Sequence, residues 1–218
     1  MLLRRLQELL AGIYDVPLEF DVRDFLTTDR RRLPQDVRDT GTDEQLLVQP
    51  CAGELAMSLF LDPALLQRLE AADPLASLHG RNLGDFWTAL EGVSHFVCVA
   101  WNAAHDRDVS VLELEMQAEI DKYVSSCWLL RRQWPQRFPT ELHPLLFART
   151  RIDPVLAGDR AGLYRSATQY ASRFCRGVER RLKRRGAGAA AQRAMEPELR
   201  RFYRMPQRAK CEYIGQMA

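Results

Sequence analysis

The chain reads as a mainly α protein, a helical bundle built on three long helices with a small peripheral β-hairpin. Apolar residues recur at three- and four-residue spacing over 83–104, 110–132 and 159–184, the period of helices that bury one side. A single pair of short apolar runs, within 45–61, is joined by a Gly-containing connector of hairpin length. At 218 residues, 46% hydrophobic and 28% charged, the chain has the balance of a folded protein and the length to bury a sizeable core.

Leu2, Leu6, Leu9, Leu10 and Ile13 predict a first helix. Arg4, Arg5 and Glu8 interrupt its apolar run, so it reads as an amphipathic helix rather than a signal peptide, and the protein is expected in the cytoplasm. Residues 15–44 carry Pro17, Pro34 and an Asp-Thr-Gly-Thr-Asp turn sequence, which predicts a long loop with a helical turn at 22–26.

After the hairpin, Asp62-Pro63 is a helix entry, an acidic cap followed by a first-turn proline. The helix over 83–104 is apolar nearly all round and is expected to be buried. Ser110-Val-Leu-Glu113 has the form of a capping box and opens the next long helix, on which Leu112, Met116, Ile120, Tyr123, Cys127 and Leu130 form one stripe. These two helices are expected to pack as an antiparallel pair. Prolines punctuate 135–154, with a short helix over 141–149. The third long helix places Leu163, Ala167, Tyr170, Phe174, Val178 and Leu182 inward. The organisation predicted is a single helical domain over 1–185, a flexible linker at 186–192, and short basic helices over 193–218.

The formal charge of +2 hides a division. Residues 160–218 hold 15 basic and 4 acidic residues, a net of +11, whereas residues 1–159 hold 16 basic and 25 acidic, a net of −9. Such an asymmetry points to a partner. Arginine supplies 28 of the 31 cations and dominates both parts alike, as a GC-rich coding background would produce, so placement carries the information.

On the third long helix Arg173, Arg176, Arg180, Lys183 and Arg184 form a ridge away from the apolar stripe. Arg200, Arg201, Arg204, Arg208 and Lys210 would widen it, and Phe202 or Tyr203 would be placed to stack on an unpaired base. The ridge suits an acidic protein surface or a nucleic-acid backbone. Its competing explanations are a solvated face, or pairing with the acidic part of the same chain or of a second subunit in a homo-oligomer. No helix-turn-helix, zinc-finger or RNA-binding signature accompanies it.

Glu113, Glu115, Glu119 and Asp121, with Glu91 and His95 on the preceding helix, are the other cluster of interest, since carboxylates and histidine on facing helices build bundle metal sites. Glu91, His95 and Glu119 are the candidate ligands or acid–base groups. The chain lacks the second Glu/His copy that a di-iron site requires, Glu113 is accounted for by capping, and Asp121 is expected to point away from the core. Cys51, Cys98, Cys127, Cys175 and Cys211 are odd in number and contain no Cys-x-x-Cys, which predicts reduced thiols without a zinc site. Nucleotide-binding and metalloprotease motifs are absent, no apolar run is long enough for a membrane span, and no cofactor is expected. These readings favour a non-catalytic binding or adaptor protein over sequence-non-specific DNA or RNA binding, and both over an enzyme or metal-binding bundle using the Glu/His set.

Overall fold

The structure, a computed structural model, describes residues 2–51, 54–148, 159–185 and 189–217. They form a mainly helical protein with a small sheet, in two compact units. One comprises Met1–Gly12 and Val16–Asp108; the other comprises Ile13–Asp15 and Val109–Ala218. The division falls between the first two long helices.

The first unit begins with α1 (Leu2–Tyr14), whose Leu3, Leu6 and Leu10 are buried. Gln7 fastens it to the following loop: its amide nitrogen donates to the Phe20 carbonyl at 2.7 Å, and its oxygen accepts from the Val22 amide at 2.8 Å. The loop contains the expected turn, a 3-10 segment at Val22–Phe25 capped by Asp21. It also contains two elements that the loop reading omitted: a two-residue strand, β1 (Leu26–Thr27), and a short helix, α2 (Gln35–Asp39). Neither is long enough to show periodicity.

The hairpin is present as β2 (Glu44–Cys51) and β3 (Glu54–Leu61). The sheet order is β1-β3-β2, with β1 parallel and β2 antiparallel to β3. Strand alternation sends Leu59 and Leu61 to one face and Phe60 to the other, and all three are fully buried. Leu59 meets Gly92, while the Arg30 guanidinium lies over the Phe60 ring at 4.8 Å.

Asp62 caps α3 (Pro63–Ala71) by accepting from the Ala64 amide at 2.8 Å, as the Asp-Pro entry implies. Arg68 of α3 makes a two-pronged ion pair, at 2.8 and 2.9 Å, with Asp85 of α4 (Leu83–Ala103). The apolar circumference of α4 lies against β2, β3 and α3.

In the second unit α5 (Val111–Gln133) packs along α7 (Asp159–Arg185), with α6 (Leu142–Phe147) against both. The C-terminal part folds as α8 (Ala189–Arg193), α9 (Glu196–Arg204) and α10 (Gln207–Gly215). Residues 189–192 of the expected linker are therefore helical, and 186–188 lie outside the described residues. Phe174 of α7 stacks on Phe202 of α9 with ring centroids 4.0 Å apart, a contact contributing about 0.5–1.5 kcal/mol beyond burial itself. Among the described residues no helix is long and apolar enough to cross a membrane.

Candidate interaction surface

The 27 residues of α7 contain no proline, and their apolar stripe is held inside: Ala167, Ala171, Phe174, Cys175, Val178 and Leu182 are at most 1% exposed. The same periodicity fixes what faces water. From residue 161 onward the exposed residues of α7 are Arg165, Gln169, Arg173, Arg176, Arg180, Lys183, Arg184 and Arg185. Every one except Gln169 is a cation. At 1.5 Å per residue, Arg165 to Arg184 covers about 28 Å of helix.

All five residues of the predicted ridge lie on this face, and Arg165 extends it; Arg185 lies on the opposite side of the last turn and donates to the Ala194 carbonyl at 2.7 Å. Arg165 stands at the i−8 position from Arg173, so helical spacing could have found it. Arg173 and Arg184 have no ion-pair or hydrogen-bond partner among the described residues. Arg176 places Nη2 3.3 Å from His143 Nδ1, and Arg180 donates to the Met217 carbonyl at 2.9 Å; both contacts leave the positive charge unneutralised. Arginine has only donors, so His143 Nδ1 accepts and its Nε2–H donates to the Ser172 carbonyl at 2.9 Å. Lys183 differs, pairing with Glu179 at 2.7 Å and lying 5.3 Å from the centre of the Phe138 ring.

The expected extension of the ridge on α9 and α10 is mostly occupied otherwise. Arg200 pairs with Glu196 at 3.0 Å and Arg208 with Glu212 at 2.9 Å. Arg204 donates to the Asp15 carbonyl at 2.6 Å and lies 3.3 Å from the Asp15 carboxylate. Arg201 is exposed, with its guanidinium 5.3 Å from the centre of the Tyr213 ring. Lys210 is not a surface group. It is 1% exposed, pairs with Glu113 at 2.7 Å, and sits 5.7 and 5.6 Å from the Phe202 and Tyr203 ring centres.

Phe202 and Tyr203 are themselves 1% and 2% exposed, which overturns the expectation that either could stack on a base. Their apolar spacing on α9 matches the core they join.

The acidic residues of α5 are likewise engaged in the interior rather than laid against the ridge. Ser110 caps α5, accepting from the Glu113 amide at 3.1 Å, but Glu113 completes no capping box: its carboxylate takes the Lys210 ammonium. Asp121, expected to point outward, is 1% exposed and accepts from the Tyr14 hydroxyl at 2.5 Å and from Gln117 at 2.7 Å. Burial, with Asp121 adding to it, holds the Tyr14 hydroxyl well above its ordinary pKa. Tyr14 also stacks on Tyr203 at 4.5 Å.

Glu119 belongs to the second unit, where it pairs with Lys122 at 2.9 Å; Glu91 and His95 lie on α4 in the first. Within its own unit His95 has Glu44 beside it, with Oε1 3.7 Å from Nδ1. Glu44 opens β2 and was hidden from sequence reading because it falls at the end of the polar loop. The thiols behave as expected of free cysteines, with Cys98, Cys127 and Cys175 buried. Burial pushes Cys127 up to about 12 and raises Cys175, which keeps both protonated and unreactive.

Comparison with known proteins yields no relative for this surface: no protein family, no curated protein and no solved structure matches the chain.

Proposed function

We propose that the protein is a non-catalytic binding or adaptor protein that engages an acidic protein partner through the outer face of α7. The supporting observation is the composition of that face, six cations and one glutamine among its exposed residues, with no carboxylate among them. A linear array of this kind raises the local concentration of an anionic partner and steers its approach. Glu113 and Asp121, the strongest intramolecular competitors in the sequence, are bonded elsewhere.

An acidic protein is favoured over nucleic acid because the aromatic groups that would stack on bases are buried, and no exposed aromatic interrupts the described outer face of α7. The expected test uses an acidic polyglutamate peptide and a random-sequence DNA duplex as probes at low salt. The peptide should bind, and Arg173→Glu with Arg184→Glu should abolish binding, while the paired Arg200→Glu and Arg208→Glu should reduce it much less. Equal losses from both pairs would remove the assignment to α7. Tight duplex binding with a log–log salt slope of about −5 would instead establish a phosphate-binding face of some six contacts.

A further inference from the structure

We propose that the acidic partner of α7 carries an apolar side chain that docks on Trp134, at the end of α5. This inference rests on the proposed role of α7 and adds to it a second, non-electrostatic contact. At 60%, Trp134 is the most exposed large apolar side chain among the described residues. It ends α5, where its amide donates to the Leu130 carbonyl at 2.7 Å. Its own carbonyl accepts from the Arg137 amide at 3.1 Å, closing the four-residue turn Trp134-Pro135-Gln136-Arg137 with proline at the second position, where such turns favour it. Pro135 also restricts the backbone of the residue before it. The indole is therefore carried on a backbone already ordered, which lowers the cost of fixing it against a partner.

The turn adjoins the basic face. Phe138, the residue after the turn, has the Lys183 ammonium of α7 5.3 Å from its ring centre and the Arg131 guanidinium of α5 at the same distance. Lys183 belongs to the ridge with Arg180 and Arg184, so a chain laid along α7 toward its C-terminal end meets the turn. The acid that follows, Glu141, is held by Arg137 at 2.7 Å and does not stand alone against an anionic partner. Tryptophan and arginine are the side chains on which binding energy concentrates, the indole because it offers a large apolar area with few rotamers to freeze. Charge complementarity sets the class of occupant: an acidic peptide segment about 28 Å long with an aliphatic or aromatic residue near the end that meets the turn. A single strand of nucleic acid fits less well. Such strands stack successive bases on several aromatic faces, whereas this end of the face offers the Trp134 indole and a Phe138 ring already met by two cations.

The test takes the full chain at low salt and two labelled glutamate-rich peptides of equal length and charge, one of them with leucines in place of serines near its two ends. Fluorescence anisotropy gives the affinities. The leucine peptide should bind the wild type about tenfold more tightly, the gain expected from burying one aliphatic side chain. In Trp134→Ala the two affinities should become equal, and in Trp134→Phe most of the difference should persist. Equal affinities in the wild type would overturn the docking of an apolar residue, as would a difference that survives in Trp134→Ala. Binding of neither peptide would instead overturn the role of α7 and this inference with it, so the two failures are distinguishable. Oligo(dT) that binds more tightly than either peptide and is lost in Trp134→Ala would assign the indole to a base and overturn the proposal too. Should the variants fail to fold, acrylamide quenching of the wild-type tryptophans decides. The leucine peptide must shield the exposed indole more than its serine counterpart does, and equal quenching refutes the proposal.

Discussion

The outer face of α7 and the terminal pair α9–α10 are both rich in arginine, yet their cations meet different fates. On α9–α10 most of the charge is tied down: Arg200, Arg204, Arg208 and Lys210 each have a carboxylate partner. On α7, Arg173, Arg176, Arg180 and Arg184 have none among the described residues. The first group contributes to folding and the second gains little from it. A basic segment is thus evidence for a partner only after its internally neutralised charges are set aside.

The comparison is tested most severely at Lys210. Lys210→Met should cost about 3–5 kcal/mol in a urea unfolding experiment, because Glu113, 3% exposed, keeps a buried charge with its ammonium partner gone. A loss below about 1 kcal/mol would show that the pair is not structural. Replacing both residues, Lys210→Met with Glu113→Leu, should restore much of the stability, since no uncompensated charge remains.

Tyr14 provides the next largest effect. Its hydroxyl donates to a buried carboxylate, so Tyr14→Phe should cost about 2 kcal/mol at neutral pH. The pH dependence has a definite sign. A phenol with a folded-state pKa raised above 10.0 contributes stability that is complete below pH 10 and is lost as pH rises from there toward the folded value. Thermal unfolding followed between pH 8 and 11 should show an alkaline decline in the wild type that is shallower in Tyr14→Phe; identical slopes would assign the decline to other groups.

The smallest effect belongs to the free face. Arg173→Ala combined with Arg184→Ala should change stability by no more than about 0.5 kcal/mol, measured by the same urea titration. A larger loss would mean that these arginines are structural and would erase the contrast with α9–α10.

Much of the fold was legible because its signals are local. Asp62-Pro63 and Ser110 mark helix starts through bonds to amides two or three residues away, and the long stripes of α4, α5 and α7 need only their own periodicity. The sites were less legible because spacing along a helix reveals a face but not what meets it. Glu113 looked like a capping residue until a lysine 97 positions later arrived beside it. Asp121 looked outward until Tyr14, 107 positions earlier, supplied a donor. Glu44 meets α4 only through the register of a strand and the missing side chain of Gly92. Arg165 is the exception, since its place on the ridge follows from helical spacing alone.

The membership of Ile13–Asp15 in the second unit bears on how the protein could be divided or exchanged by recombination. A cut after Asp108 separates Tyr14 from Asp121 and from Tyr203, leaving a buried carboxylate without its phenol and an aromatic ring without its stacking partner. The two units are consequently not interchangeable cassettes. A segment of three residues near the start of the chain makes inheritance of the second unit depend on inheritance of the first.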